Sequence, residues 1–134
     1  MKKLDKKKHF IITSEIYHQD ILVCLNITPA EAWKIYARKN SEATEEDKKF
    51  LLGDTEHKKN SNIGTMYPMS LGYVVILKWY KDSFRKNLCC AVHEFTHVSH
   101  YILRNIRIPL EEKTEEAYTY LVEDLMKQFL FKLY

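Results

Sequence analysis

The chain has 134 residues, enough for one domain with its own hydrophobic core, and nothing requires a second domain. Its 21 basic and 18 acidic side chains give a formal net charge of +3, and five of the basic ones lie in the opening MKKLDKKK. We therefore predict a flexible basic terminus over residues 1–8. The rest of the chain is close to neutral, which argues against nucleic acid as a partner.

The cysteines and the start of the chain indicate the cellular compartment in which the protein is expected. Three cysteines, two of them adjacent, form neither a disulfide framework nor a C-x-x-C metal motif, so reduced thiols are expected. The start lacks the apolar region and the cleavage site of a signal peptide. No apolar run approaches the length of a membrane span. We expect a cytoplasmic protein that does not bind a membrane.

Two segments near the start have the composition of strands. Residues 9–17, HFIITSEIY, and residues 20–27, DILVCLNI, are rich in β-branched and aromatic side chains and predict a hairpin. The following TPAEAW carries a helix start signal, with Thr28 as N-cap and Pro29 at the first helical position. A helix to about Arg38 is predicted.

The middle of the chain alternates between polar and apolar segments. EEDKKFLL at 45–52 predicts a second helix that ends at Gly53, and residues 54–64 are polar without periodicity, as in an exposed loop. The strand pattern returns in GTMYPMSLGYVVILKWY, most clearly at residues 73–79. Both faces of this strand are apolar for most of its length, so we expect helices to cover one side.

The C-terminal half predicts two long helices. Helical periodicity runs from Ser83 to about residue 106, and its apolar stripe consists of Leu88, Val92, Phe95, Ile102 and Ile106. After the break at Pro109, LEEKTEEAYTYLVEDLMKQFLFKLY forms an amphipathic helix with acidic residues in its first turns. Strands followed by long helices predict an α+β fold in which a small antiparallel or mixed sheet packs on these helices.

The stretch CCAVHEFTHVSH at 89–100 holds the strongest functional signal. On a helix His93 and His97 lie about 40° and about 6 Å apart, so both imidazoles can reach one zinc ion. Glu94 projects about 100° from His93, which suits a general base acting on a water that the metal activates. His100 lies about 10 Å along the axis from His93 and is too distant to join them.

A third ligand must come from elsewhere in the chain. Metalloproteases that use a third histidine place it after a glycine, and no glycine follows His97. A carboxylate of the next helix remains, and KTEEAYTY offers Glu115 and Glu116. The phase of that helix favours Glu115, because Glu115 is in line with the apolar stripe.

The sequence resembles the gluzincin zinc peptidases at this point, because HEFTH is followed after eighteen residues by Glu116 and an alanine. The resemblance is closest to small zinc-peptidase-like proteins encoded by bacteriophages, and it covers about residues 63–130. It implies a minimal zincin-like fold over a single domain, residues 1–134, and a strand at 73–79 that forms the edge along which an extended peptide pairs.

By the same resemblance, His93, His97 and Glu116 bind zinc, and Glu94 activates water. The implied function is that of a zinc-dependent metallopeptidase acting on a peptide or protein substrate, in the host cytoplasm if the protein is viral. Larger gluzincins place an aspartate one turn after the glutamate ligand to orient a zinc histidine, where this chain has Tyr120.

Two alternatives follow from that departure. One is a catalytically weak or inactive zinc-binding module that uses the peptidase fold to bind a host or viral protein. The other is a metal-free helix whose polar residues lie in water.

Overall fold

The computed structural model describes residues 6–53 and 64–133. The described residues form four strands and four helices, in the order β1 (Lys8–Ser14), β2 (Gln19–Leu25), α1 (Pro29–Lys39), α2 (Glu45–Gly53), β3 (Gly64–Met69), β4 (Gly72–Leu77), α3 (Phe84–Asn105) and α4 (Glu115–Leu133). The predicted α+β class is confirmed. The predicted polar loop lies, up to residue 63, outside the described residues.

The strands form a mixed sheet in the order β1-β2-β4-β3. The predicted hairpin of β1 and β2 is confirmed, and β3 and β4 form a second antiparallel pair. The central strands β2 and β4 are parallel, with Ile21 opposite Tyr73 and Leu25 opposite Leu77. Parallel neighbours need a long connection, and α1 and α2 lie within it.

The apolar segment predicted as one main strand over residues 73–79 is the second half of a hairpin. Ser70 and Leu71 form the turn. Gly72, with φ of +133°, then begins β4 at a point where a Cβ would lie 2.5 Å from the carbonyl oxygen of Asp20. β4 ends at Leu77 and is paired on both sides, so the prediction that a peptide pairs along residues 73–79 is wrong. Apolar side chains on both faces mark this strand as an interior one.

Helices cover both faces of the sheet. Alternate residues of β2 and β4, such as Val23 and Val75, point into a core shared with α3 and α4. Their neighbours Leu22 and Val74 point into a second core with Tyr36 of α1. The candidate site on α3 is therefore separated from α1 and α2 by the sheet.

The first helix begins as predicted. The Thr28 side chain accepts a hydrogen bond from the Glu31 backbone N–H at 3.2 Å, which supplies the N-cap of α1. Helix α2 is fixed by Asp47, whose carboxylate accepts hydrogen bonds from the backbone N–H groups of Thr44 and Ser70 at 3.2 and 2.9 Å. The second of these contacts attaches α2 to the turn between β3 and β4.

The buried face of helix α3 matches the predicted stripe in part. Phe95 and Ile102 of that stripe are buried, whereas Val92 and Ile106 are 39 and 49% exposed. Helix α4 begins at Glu115, later than predicted. No helix in the described part of the chain combines the length and apolar character needed to cross a membrane.

The two ends of the described chain lie against each other. The backbone N–H of Thr13 in β1 donates to Gln128 Oε1 at 3.0 Å, and Gln128 Nε2 donates back to the Thr13 carbonyl at 2.7 Å. Lys8 Nζ donates to the carbonyl of Lys132 at 2.8 Å, and Lys7 forms an ion pair with Glu31. Lys7 and Lys8 thus have partners in the structure, the flexibility of residues 1–8 stays a prediction, and residues 1–5 lie outside the described residues.

Candidate metal centre

Helix α3 presents the two predicted zinc histidines to solvent. His93 and His97 are both exposed, on the face opposite the buried Phe95. Their Nε2 atoms are 3.0 Å apart, and the rings are nearly perpendicular. Two zinc–nitrogen bonds of roughly 2.0 to 2.1 Å add up to more than this distance, so one ion can contact both nitrogens.

The environment of His97 favours the neutral imidazole. Its partial burial lowers the pKa, and the neighbouring His93 and His100 lower it further. A neutral ring has the free nitrogen lone pair that a metal ligand requires.

Glu94, the predicted base, lies beside the histidines on the side of α3 that faces the sheet. It is only 6% exposed. Gly64, at the start of β3, lies close to it, because a Cβ added to this glycine would be 3.3 Å from Glu94 Cγ and 2.8 Å from Cys90 Sγ. The missing side chain of Gly64 lets an edge strand approach α3 at the candidate base, a contact for which the sequence gives no signal.

The structure does not bring the predicted third ligand to the histidines. Glu115 and Glu116 are exposed in the first turn of α4. In the ranges 6–53 and 64–133, no three His, Cys, Asp or Glu side chains are grouped closely enough to hold a metal ion. With about 100° per residue, Glu115 lies about 60° around α4 from the buried Tyr118, and Glu116 about 160°.

His100 lies one turn beyond the pair and packs on α4. Its ring centroid is 4.9 Å from that of Tyr118, in an edge-on arrangement. The Tyr118 hydroxyl donates to the carbonyl of Ile108 at 2.5 Å. Tyr118 therefore fixes both the position of His100 and the course of the connection between α3 and α4.

Two carboxylates of α4 that follow Tyr120 in sequence have partners within the helix. Asp124 accepts a hydrogen bond from Gln128 at 3.1 Å, and Glu123 pairs with Lys127 at 2.6 Å. Tyr120, at the position where larger gluzincins have aspartate, is 65% exposed.

The adjacent cysteines differ from each other. Burial, together with the nearby Glu94, raises the pKa of the Cys90 thiol to about 11, so this thiol packs against β3 in its neutral form. Cys89, by contrast, is exposed.

Comparisons of the chain with protein-family models, with curated proteins and with solved structures gave no match.

Proposed function

We propose that the protein is a zinc-dependent metallopeptidase of the gluzincin type with a minimal zincin-like fold. The paired imidazoles carry this proposal, since the Nε2 atoms of His93 and His97 are 3.0 Å apart on an exposed helix face. Glu94 is next to His93 in sequence and about 60° around the helix from His97, as the H-E-x-x-H signature requires.

Each residue has a separate chemical role in this proposal. His93 and His97 bind zinc through Nε2, and a bound zinc ion supplies a Lewis acid that polarises a peptide carbonyl and lowers the pKa of water. Glu94 accepts the proton of the attacking water on its carboxylate and returns it to the leaving amine. Its low exposure strengthens its electrostatic interaction with a nearby cation.

Two glutamates compete for the third ligand position. The gluzincin spacing selects Glu116, whereas helix phase favours Glu115, which lies only about 60° around α4 from the buried Tyr118. Glu115→Gln and Glu116→Gln separate the two. The substitution that removes the third ligand should weaken zinc binding by about tenfold or more in a chelator competition. The other substitution should leave the zinc affinity unchanged.

Glu94→Gln tests the catalytic role. We expect this variant to keep one zinc per chain by metal analysis and to cleave a fluorescence-quenched peptide library roughly 10² to 10⁴ times more slowly. Glu46→Gln is the matched control, because Glu46 is exposed on α2 across the sheet. Loss of zinc in Glu94→Gln would instead assign Glu94 a structural role, and zinc-free purified protein would refute the proposal.

A second candidate is the zinc-binding interaction module. It is favoured by one observation, that Tyr120, 65% exposed, stands where larger gluzincins have the aspartate that orients a zinc histidine. One equivalent of zinc together with no cleavage of any library peptide would support the module over the peptidase. In either case we propose a cytoplasmic protein, in the host cytoplasm if viral, whose partner is a peptide or protein rather than nucleic acid or a membrane.

A further inference from the structure

The exposed stripe of α3 continues beyond the candidate metal ligands. His93, His97, His100 and Arg104 are spaced by four, three and four residues, so they lie within about 60° of one helix face. From His97 to Arg104 the stripe extends about 10 Å along the axis. A cationic side chain therefore lies on the same face as the zinc-binding pair.

A groove opens at this end of the stripe. It has a volume of about 490 Å³ and is lined by His100, Arg104, Arg107, Pro109, Leu110 and Tyr118. We call it the arginine groove.

The backbone that forms the wall of the arginine groove is held in place by hydrogen bonds. Arg107 has φ of +64°, and its N–H donates to the Arg104 carbonyl at 3.0 Å. The Ile108 N–H then donates to the Leu103 carbonyl at 2.9 Å. The chain is thereby turned back against the end of α3, with Arg107 beside Arg104.

The two guanidinium groups of the groove have no anionic partner among the described residues. Neither Arg104 nor Arg107 forms an ion pair with any of them, and Arg104 lies 5.3 Å from the centroid of the Tyr101 ring. Glu111 and Glu112 follow in sequence without pairing with either arginine. Leu110, 55% exposed, adds an apolar surface to the groove.

We propose that the arginine groove binds a carboxylate of the peptide substrate, from an acidic side chain or the C-terminus, and so determines specificity. This inference rests on the proposed peptidase function. Guanidinium groups match carboxylates through paired N–H donors, and Leu110 offers contact to an apolar neighbouring residue. An extended peptide advances by roughly 3.3 Å per residue, so the carboxylate lies about three residues from the scissile bond.

The test measures the binding of peptides to the full chain that carries Glu94→Gln and is loaded with zinc. This variant is used because its turnover is slow. The probes are fluorescein-labelled peptides, blocked at the C-terminus, with a central Phe-Leu and one glutamate three residues before or after it, each with a glutamine counterpart. Fluorescence anisotropy should show that one glutamate peptide binds about five to ten times more tightly than its counterpart. A further peptide that ends at the same position with a free C-terminal carboxylate shows whether the groove binds an acidic side chain or the C-terminus.

Arg104→Gln combined with Arg107→Gln should abolish this preference and leave the affinity for the glutamine peptide unchanged. Lys34→Gln combined with Arg38→Gln is the matched control, because it removes the same charge from exposed positions of α1 on the other side of the sheet. The control should keep the preference.

Equal affinity for glutamate and glutamine peptides would overturn the inference, as would a preference that survives the double arginine substitution. Tighter binding of a labelled single-stranded oligonucleotide than of any acidic peptide would also overturn it. Failure of the proposed function gives a different result, in which the unmodified protein takes up no zinc or cleaves no peptide of the library.

Discussion

Replacement of Gly64 by alanine tests the close approach of β3 to α3. The added Cβ would lie 2.8 Å from Cys90 Sγ and 2.9 Å from Leu77 Cδ2, both well inside van der Waals contact. Gly64 is not in the left-handed region of backbone conformation, so alanine introduces no backbone strain there. The whole cost must come from crowding between the strand and the helix that carries Glu94.

The expected loss of stability follows from two opposing terms. Overpacking at such a contact costs about 1 to 3 kcal/mol, and the stiffer unfolded chain returns about 0.4 to 1 kcal/mol. We expect Gly64→Ala to unfold about 0.5 to 2 kcal/mol more easily in urea, measured in zinc-free buffer. Gly53→Ala is the control, since none of the described residues lies within 4 Å of its added Cβ.

Cys90→Ala identifies the source of the crowding. Because it removes the nearest atom, the cost of Gly64→Ala should fall in a chain that also carries Cys90→Ala, and a double-mutant cycle measures the difference. A Gly64→Ala protein as stable as the unmodified one would refute the reasoning. An unchanged cost in the Cys90→Ala background would assign the crowding to Leu77 instead.

Three further outcomes are expected. Thr28→Ala removes the N-cap acceptor of α1 and should lower the free energy of unfolding by about 1 kcal/mol in urea. Burial alone would raise the pKa of Asp47, but hydrogen bonds from Ser70 and Thr44 lower it overall. The stability deficit of Asp47→Asn should therefore be full above the ordinary value of 3.8 and shrink as the pH falls through the lowered pKa, as unfolding curves across pH would show. Mass spectrometry should show that iodoacetamide modifies exposed Cys89 first, whereas Cys24, whose burial raises its pKa to about 12, reacts only on unfolding.

Local signals in the sequence were sufficient for several elements. The N-cap of α1 was predictable because Thr28, Pro29 and Glu31 act within one turn. The contact between His93 and His97 was predictable for the same reason, since helix geometry alone places residues four apart on one face.

Features that depend on packing between distant segments were not predictable. The segment around Gly72 has the composition of one continuous strand. In the structure it is a hairpin in which Gly72 approaches Asp20 of β2 closely, a contact between distant residues that composition does not indicate. The buried face of α3 includes Glu94 because β3 packs on that side, which no periodicity of apolar residues indicates. The placement of Glu116 depends on how α4 crosses α3, and spacing along the chain does not determine it.

The exchange of hydrogen bonds between Gln128 and Thr13 has a consequence for the outer edge of the sheet. β1 is an edge strand of the described sheet, and an unpaired edge can recruit a strand from another molecule. The Gln128 amide donates to and accepts from the backbone of Thr13 as a neighbouring strand would. One side chain of α4 thus occupies the backbone groups of Thr13, and a second chain cannot extend the sheet at that residue without displacing it.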